Sequence, residues 1–171
     1  MRTDIIYSSD KNAQECEYFL PQLTFLDKYY DNATDYFSSI FFILKELGFV
    51  RSSFLEAIVS REKAYPTGLP TLPVAIALPH TDPRHVIRPF ISITRLSRPL
   101  AWNEMGNDNN TLYVHFIVLL GFIDHDSHLK SLQKLMDCLA DEEVVQTLRD
   151  IKNRDIFLNT LTSRLQSDKD L

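Results

Sequence analysis

A histidine at the end of a short aliphatic run is the residue of this chain best suited to chemistry. His80 follows residues 74–79, where larger and smaller apolar side chains alternate as in a buried strand. Pro79 has no N–H with which to continue a strand ladder, so we expect the chain to leave the sheet there. Ligands of open α/β sheets bind outside the carboxyl ends of strands. The pattern predicts a nucleophile at a strand end, and a buried core histidine is the alternative.

Two further residues are candidates for binding an anion. Arg61 lies near the end of a predicted helix, and its planar fork of donors matches the oxygens of a phosphate. His128 lies at the amino terminus of another predicted helix, where free N–H groups and the helix dipole favour an anion. Taken singly, a residue of either type in such a place is more often an ordinary surface residue.

Other kinds of chemistry have little support in the sequence. His125 and His128 are close together beside two aspartates, but a zinc site needs three or four converging ligands and no second cluster is visible. Neither a Gly-x-Ser-x-Gly elbow nor a glycine-rich phosphate loop with its lysine occurs. We therefore expect no metal and no nucleotide cofactor. These absences favour a histidine that accepts a phosphoryl group already activated elsewhere.

Length and composition predict one globular domain. The chain has 171 residues, of which 44% are hydrophobic and 24% are charged. It shows no apolar run of about 18 residues and no signal-peptide core, and its 2 cysteines are too few for a disulfide framework, so a cytoplasmic location is expected. A net charge of -5 disfavours nucleic acid and anionic membranes. A protein or a small molecule is the expected partner.

Hydrophobic spacing predicts strands that alternate with helices. Besides the run before Pro79, strands are predicted at 23–26, 90–96 and 113–120. Helices are predicted from Asn32 or Thr34 to Gly48, from a capping box at Ser53 to 61–62, at 129–139 after a cap at Asp126 or Ser127, at 142–148 and at 154–165. The expected fold class is α/β, a single domain with a mixed sheet flanked by helices.

The sequence predicts neither helix nor strand at the two ends of the chain and in two inner segments. Residues 1–21 are polar and poorly periodic, which predicts an N-terminal extension before a domain at 22–165, and 166–171 form a tail. Residues 65–70 contain two prolines and a glycine, and 103–110 are rich in asparagine. We expect a loop at the first and a turn at the second.

Two motifs resemble a known family. Residues 61–68 (Arg-Glu-Lys-Ala-Tyr-Pro-Thr-Gly) and 75–80 (Ala-Ile-Ala-Leu-Pro-His) are similar to the enzyme IIA domain of the sugar phosphotransferase system, in its fructose, mannitol and galactitol superfamily. The similarity extends over about 22–165. The turn at 65–68 and the polar stretch at 107–110 most resemble the galactitol branch. The resemblance implies the α/β sandwich of the fructose and mannitol type.

The resemblance also implies a function for the candidate residues. His80 would accept a phosphoryl group from phospho-HPr and pass it to a cysteine of enzyme IIB, for uptake of a polyol or hexitol such as galactitol. Arg61 matches the arginine that steadies the phosphate. His128 matches a second active-site histidine of the family. Galactitol-type relatives can have another residue at this position. The membrane component, enzyme IIC, would be only an indirect partner, and no nucleic acid is expected.

Phosphoryl transfer places physical demands on this site. The attacking imidazole must be neutral, so we expect the other ring nitrogen of His80 to donate to a backbone carbonyl or a carboxylate. A site that serves two protein partners is expected to have an apolar collar, for which the candidates are Leu69, Leu72 and Pro79.

Two functions of other classes are kept beside the carrier. One is a regulatory module of the same fold that signals through its phosphorylation state. The other is a non-catalytic interaction domain or a hydrolase in which His80 is structural.

Overall fold

A computed structural model of the chain describes residues 17–124 and 129–167. The strands are β1 (Phe19–Lys28), β2 (Gly68–Leu69), β3 (Ala75–Ala77), β4 (Phe90–Glu104) and β5 (Asn107–Gly121). The helices are α1 (Ala33–Glu46), α2 (Phe54–Ala64), α3 (Leu129–Leu139), α4 (Glu142–Asp150) and α5 (Arg154–Gln166), with a short 3-10 turn at Pro83–His85.

A single mixed sheet organises the domain, as predicted. Its centre is the antiparallel hairpin of β4 and β5, against which β1 pairs parallel to β4 and β3 pairs parallel to β5. The two-residue strand β2 pairs antiparallel with β3, and its Gly68 also reaches Glu104 at the end of β4. The predicted α/β fold class is therefore confirmed.

Helices cover both faces of the sheet, because β5 is apolar on both sides. Phe116, Val118 and Leu120 belong to a core cluster that is shared with α3, α4 and α5. The intervening Ile117 and Leu119 belong to a second cluster, shared with α1 and α2. Side chains alternate between the two faces of a strand, so a continuous apolar run is the sequence of a strand buried on both faces.

Three strands, β1, β4 and β5, are longer than predicted. β1 begins at Phe19 rather than at residue 23, and it contains Pro21. Within the described residues β1 pairs with β4 alone, and the register shifts between Phe19 and Thr24, so a proline at this edge interrupts no central ladder. The division into an extension, a domain and a tail stays a prediction.

The polar stretch at 103–110 is mostly strand rather than turn. Pairing of β4 with β5 continues through Asn103 opposite Thr111, so only Met105 and Gly106 connect the two strands. Gly106 has a φ of 73°, the left-handed conformation that such a tight connection requires. Ladder hydrogen bonds thus override the turn-like composition of this segment.

Gly68 permits the close approach of β2 to β4. A Cβ at this position would lie 2.5 Å from the carbonyl oxygen of Asn103. We expect Gly68→Ala to lower the free energy of unfolding by about 2 kcal/mol or more, because backbone atoms must move apart. Urea denaturation followed by circular dichroism measures this change.

Gly106→Asn is the matched control. Nothing lies within 4 Å of a Cβ added at Gly106, and asparagine tolerates the left-handed backbone. Equal stability of the Gly68→Ala variant and the wild-type protein would contradict the proposed constraint.

Candidate functional site

His80 lies at the carboxyl end of β3, where the sequence pattern placed it. After Ala77 the chain stays beside β5 long enough for His80 to form a parallel bridge with Leu120. The carbonyl oxygen of Pro79 accepts from the N–H of Leu120 at 3.0 Å, a contact that needs no donor on the proline. His80 is half-buried and lines a cleft, so its side chain is not enclosed in the core.

The His80 ring is oriented by a backbone carbonyl. Its Nδ1 atom lies 2.9 Å from the carbonyl oxygen of Leu78. Because a carbonyl oxygen can only accept a hydrogen bond, Nδ1 carries the proton of the neutral ring and Nε2 holds the free electron pair. Nε2 makes no hydrogen bond to any residue the structure describes. This is the arrangement that the sequence analysis expected of a neutral nucleophile, and it leaves Nε2 as the nitrogen that faces no protein acceptor or donor within the described residues.

Arg61 shares the cleft with His80. It lies in the last turn of α2, where its Nη1 donates to the carbonyl oxygen of Tyr65 at 3.1 Å. Its guanidinium carbon lies 4.6 Å from the centre of the Tyr65 ring. These contacts fix the direction of the side chain and use only one of its five N–H donors, so the others can bind an anion.

The cleft has a volume of about 640 Å³. One wall is formed by α2 and the preceding Ser53, and the other by the segment that follows Pro79. The lining residues are Ser53, Glu56, Ala57, Ser60, Arg61, His80, Thr81, Asp82, Pro83, Arg84 and His85. The three candidates predicted for an apolar collar are wrong.

The collar fails because none of its three candidates lines the cleft. Pro79 is buried and Leu69 is partly buried, whereas Leu72 is 80% exposed at a place outside the cleft lining. The chain turns back after His80 through the 3-10 turn, which Asp82 caps by accepting from the N–H of Arg84 at 2.9 Å. That turn brings polar residues to the rim.

His85, which the sequence could not place, is held in the same wall. Ser53 does not cap α2 as the capping-box pattern predicted, and its Oγ lies 2.8 Å from Nδ1 of His85. Nε of Arg84 donates to Nε2 of His85 at 3.3 Å, so the proton of the His85 ring is on Nδ1 and points to Ser53. A long-range contact has replaced a local cap.

Glu62 is the buried carboxylate of this region, and sequence reasoning missed it. It is 9% exposed, and its Oε1 accepts from the N–H of Thr67 and from Nε1–H of Trp102, each at 2.7 Å. The Thr67 hydroxyl lies 2.8 Å from Oε2. Burial raises the pKa of Glu62, while these hydrogen bonds and, when the His80 ring is charged, its positive charge act in the opposite direction. Its only sequence signal was its place beside Arg61 in the motif at 61–68.

The remaining histidines do not extend the site. His128 and His125 lie outside the described residues, as do the proposed caps Asp126 and Ser127. His115 is away from the cleft, and burial with the nearby Arg149 lowers its pKa. Residues 17–124 and 129–167 contain no group of three or more His, Cys, Asp or Glu placed to hold a metal ion.

Solved structures with this fold include enzymes IIA of the phosphotransferase system. The mannitol-specific cryptic phosphotransferase enzyme IIA of Escherichia coli is 16% identical, with a TM-score of 0.68 over 88% of this chain and 99% of that one. The enzyme IIA in a complex of mannitol enzyme IIA with phosphorylated enzyme IIB, also from Escherichia coli, is 19% identical, with a TM-score of 0.66 over 83% and 95%. The fold is therefore that of an enzyme IIA of the phosphotransferase system.

The sequence identifies the family. The model of the family described as "Phosphoenolpyruvate-dependent sugar phosphotransferase system, EIIA 2" matches residues 17–164, and the chain belongs to this family. It is 28% identical to the galactitol-specific EIIA component of Escherichia coli strain K12 over 101 residues, which are 59% of this chain and 67% of that protein. The protein is thus a phosphotransferase component, as the resemblance implied.

No helix in the described parts of the chain, 17–124 and 129–167, has the length and apolar character needed to cross a membrane.

The Glu62 network gives a prediction about stability. We expect Glu62→Leu to lower the free energy of unfolding by about 3 kcal/mol, because the N–H of Thr67 and Nε1–H of Trp102 lose their acceptor while buried. Glu62→Gln keeps an acceptor oxygen and should cost much less. Urea denaturation of both variants tests this, and equal stability of the two would contradict it.

The difference in stability between the wild-type protein and Glu62→Gln should change with pH in a defined direction. The pKa of Glu62 is raised above 4.5 in the folded protein, so its contribution to stability is full at lower pH and is lost as pH rises through the folded-state pKa. The glutamine side chain of the Glu62→Gln variant cannot ionise, so the stability difference should shift in favour of that variant as pH rises from about 4 to 8. Denaturation of both proteins across this range measures it, with the exposed Glu46→Gln as the control for a lost charge. A shift toward the wild-type protein would contradict the assignment.

Proposed function

We propose that the protein is a phosphohistidine carrier of the sugar phosphotransferase system. Nε2 of His80 attacks the phosphorus of phospho-HPr, so that a P–Nε2 bond forms as the P–N bond of the donor breaks. A cysteine thiolate of enzyme IIB then attacks the phosphorus, and the P–Nε2 bond breaks. The proton on Nδ1 stays in place through both steps, because the Leu78 carbonyl holds it.

The observation that carries this proposal is the free Nε2 of His80 in the cleft beside the Arg61 guanidinium. Phosphoryl transfer needs in-line approach and donors that spread charge over the equatorial oxygens. The unused N–H donors of Arg61 provide such stabilisation at both the acceptor and the donor step. His128 is proposed as a second phosphate ligand, on the family resemblance alone.

The comparisons support the choice of partners and sugar. The structure of a related complex contains enzyme IIA with phosphorylated enzyme IIB, which supports enzyme IIB as the acceptor here. The galactitol-specific relative supports a polyol or hexitol as the transported sugar. HPr as the donor and a cytoplasmic location are proposed with them. Transfer to a purified galactitol-type enzyme IIB, compared with a mannitol-type one, tests the choice of sugar.

Replacement of His80 tests the proposed carrier. We expect the wild-type protein, incubated with phosphoenolpyruvate, enzyme I and HPr, to gain one acid-labile phosphoryl group, and His80→Ala to gain none. His80 is half-buried, so its loss should leave the melting temperature nearly unchanged. Intact mass before and after acid treatment measures the modification.

His115→Ala is the matched control, because it removes a histidine outside the cleft. A His80→Ala variant that melts normally and still accepts the phosphoryl group would refute the assignment. A wild-type protein that accepts none would favour the regulatory or structural alternatives.

Arg61→Lys tests the role of the guanidinium. A lysine ammonium keeps the charge but cannot present two parallel donors, so we expect transfer to slow by about tenfold to a hundredfold. Rapid-quench time courses of phosphorylation by phospho-HPr measure the rate. Arg88→Lys, a substitution outside the cleft lining, is the control. Wild-type rates for Arg61→Lys would show that this arginine does not contact the phosphoryl group.

A further inference from the structure

We propose that Glu62 is a positioning residue for His80. Its buried carboxylate, hydrogen-bonded to the backbone of Thr67 and through it to that of Leu78, keeps the proton on Nδ1 and balances the positive charge of the phosphorylated ring. This inference rests on the proposed function of His80 as a phosphoryl carrier.

A continuous series of hydrogen bonds joins Glu62 to the His80 ring. The Glu62 carboxylate accepts from the N–H of Thr67 at 2.7 Å. The carbonyl oxygen of Thr67 accepts from the N–H of Leu78 at 3.2 Å. The carbonyl oxygen of Leu78 accepts from Nδ1–H of His80 at 2.9 Å. Each donor points toward Glu62. The N–H and the C=O of Thr67, like those of Leu78, belong to different peptide groups, so the carboxylate acts on the series as a nearby buried charge and not through one conjugated amide.

Most of the series is shielded from water. Thr67 is 1% exposed and Leu78 is 9% exposed, and Glu62 is 9% exposed, where it lines a separate cleft. Electrostatic effects are stronger in such an environment than at the surface. Within residues 17–124 and 129–167 no lysine or arginine forms an ion pair with Glu62. A positive charge on the His80 ring, such as phosphorylation of Nε2 creates, interacts favourably with this carboxylate.

The phosphorylated ring explains why a negative charge is useful here. Once Nε2 is bonded to phosphorus and Nδ1 keeps its proton, the ring carries a positive charge. If that proton were lost, the leaving group in the next step would be an imidazolate, which leaves far less readily than neutral imidazole. A carboxylate aligned with Nδ1–H keeps the ring protonated and ready to release the phosphoryl group.

Other charged groups face His80, but they differ from Glu62 in their surroundings. Arg61, Arg84, Glu56 and Asp82 lie with His85 along the open cleft, where solvent screens them. On the far side of Glu62, Lys63 lines a separate cleft together with Trp102. Glu62 alone among these groups is linked to Nδ1 by the series of hydrogen bonds through Thr67 and Leu78.

Four variants separate charge from structure. Glu62→Gln keeps an acceptor for Thr67 and Trp102 but removes the charge. Trp102→Phe removes one hydrogen bond of the same network and keeps the charge. Glu46→Gln removes an exposed charge on α1. Glu62→Asp is the conservative variant, which should restore part of any loss.

The first measurement uses the unphosphorylated protein. Nitrogen-15 NMR of the histidine rings reports which ring nitrogen carries the proton, and hydrogen exchange reports how firmly it is held. We expect Glu62→Gln to speed exchange of the Nδ1 proton of His80 about tenfold and to populate the Nε2–H tautomer, with Trp102→Phe and Glu46→Gln near the wild-type values.

The second measurement is the rate of transfer from phospho-His80 to enzyme IIB as a function of pH. In Glu62→Gln we expect the rate to fall at a pH about one unit lower than in the wild-type protein, because the phosphorylated ring loses its proton sooner. A purely structural role would lower the rates of Glu62→Gln and Trp102→Phe alike, without this displacement.

Each outcome decides the proposal. An unchanged tautomer and an unchanged pH profile in a folded Glu62→Gln variant would overturn it. If Glu62→Gln does not fold, Glu62→Asp, which draws the carboxylate back by one methylene, must shift both readouts in the same direction by a smaller amount. A wild-type protein that accepts no phosphoryl group would refute the proposed function. The tautomer measurement would still test whether Glu62 keeps the proton on Nδ1 of His80.

Discussion

The buried carboxylate of Glu62 holds together the three segments that form the site. Its hydrogen bonds join the end of α2 to Thr67, just before β2, and to Trp102 on β4. Arg61 is the preceding residue on α2, and β2 pairs with the strand that leads to His80. An isolated charge buried in this way is costly, and only the complete set of donors makes it tolerable. The distance between the arginine and the histidine is therefore set by a polar network, with hydrophobic packing on both faces of the sheet around it.

His80 shows how a short strand prepares a side chain for reaction. The bridge to Leu120 fixes the backbone, and the Leu78 carbonyl fixes the ring. Nδ1 is thereby bound to the protein and Nε2 is left to the cleft, so the tautomer required by the proposed carrier exists before a partner arrives. Preorganisation of this kind would lower the reorganisation that the proposed transfer requires. The site is open on one side, which suits the protein partners proposed for it.

Sequence periodicity predicted much of this structure, and its failures share a cause. The 3.6-residue spacing in α1, the cap at Asn32 and the apolar run of β5 are local signals, and the structure confirms them. Pro21 matched the end of an N-terminal extension, yet it lies within the edge strand β1. Ser53 matched a helix-cap pattern, yet its hydroxyl is hydrogen-bonded to His85, which is far away in sequence. The apolar collar was inferred from residue type without knowing how the chain turns after Pro79. In each case a contact between distant segments decided the outcome.

Glu62 is the residue that sequence reasoning had least chance of finding. A glutamate in the last turns of an amphipathic helix is usually solvated, and only the tertiary structure places this one behind the strand of His80. The structural role of Glu62 requires a hydrogen-bond acceptor but no charge. A glutamine side-chain oxygen could accept from both Thr67 and Trp102. A carboxylate at this place instead carries a desolvation cost, because burial disfavours its charged form and raises the pKa of Glu62. Natural proteins retain such costs where function uses them, and the proposed action of Glu62 on Nδ1 of His80 is such a use.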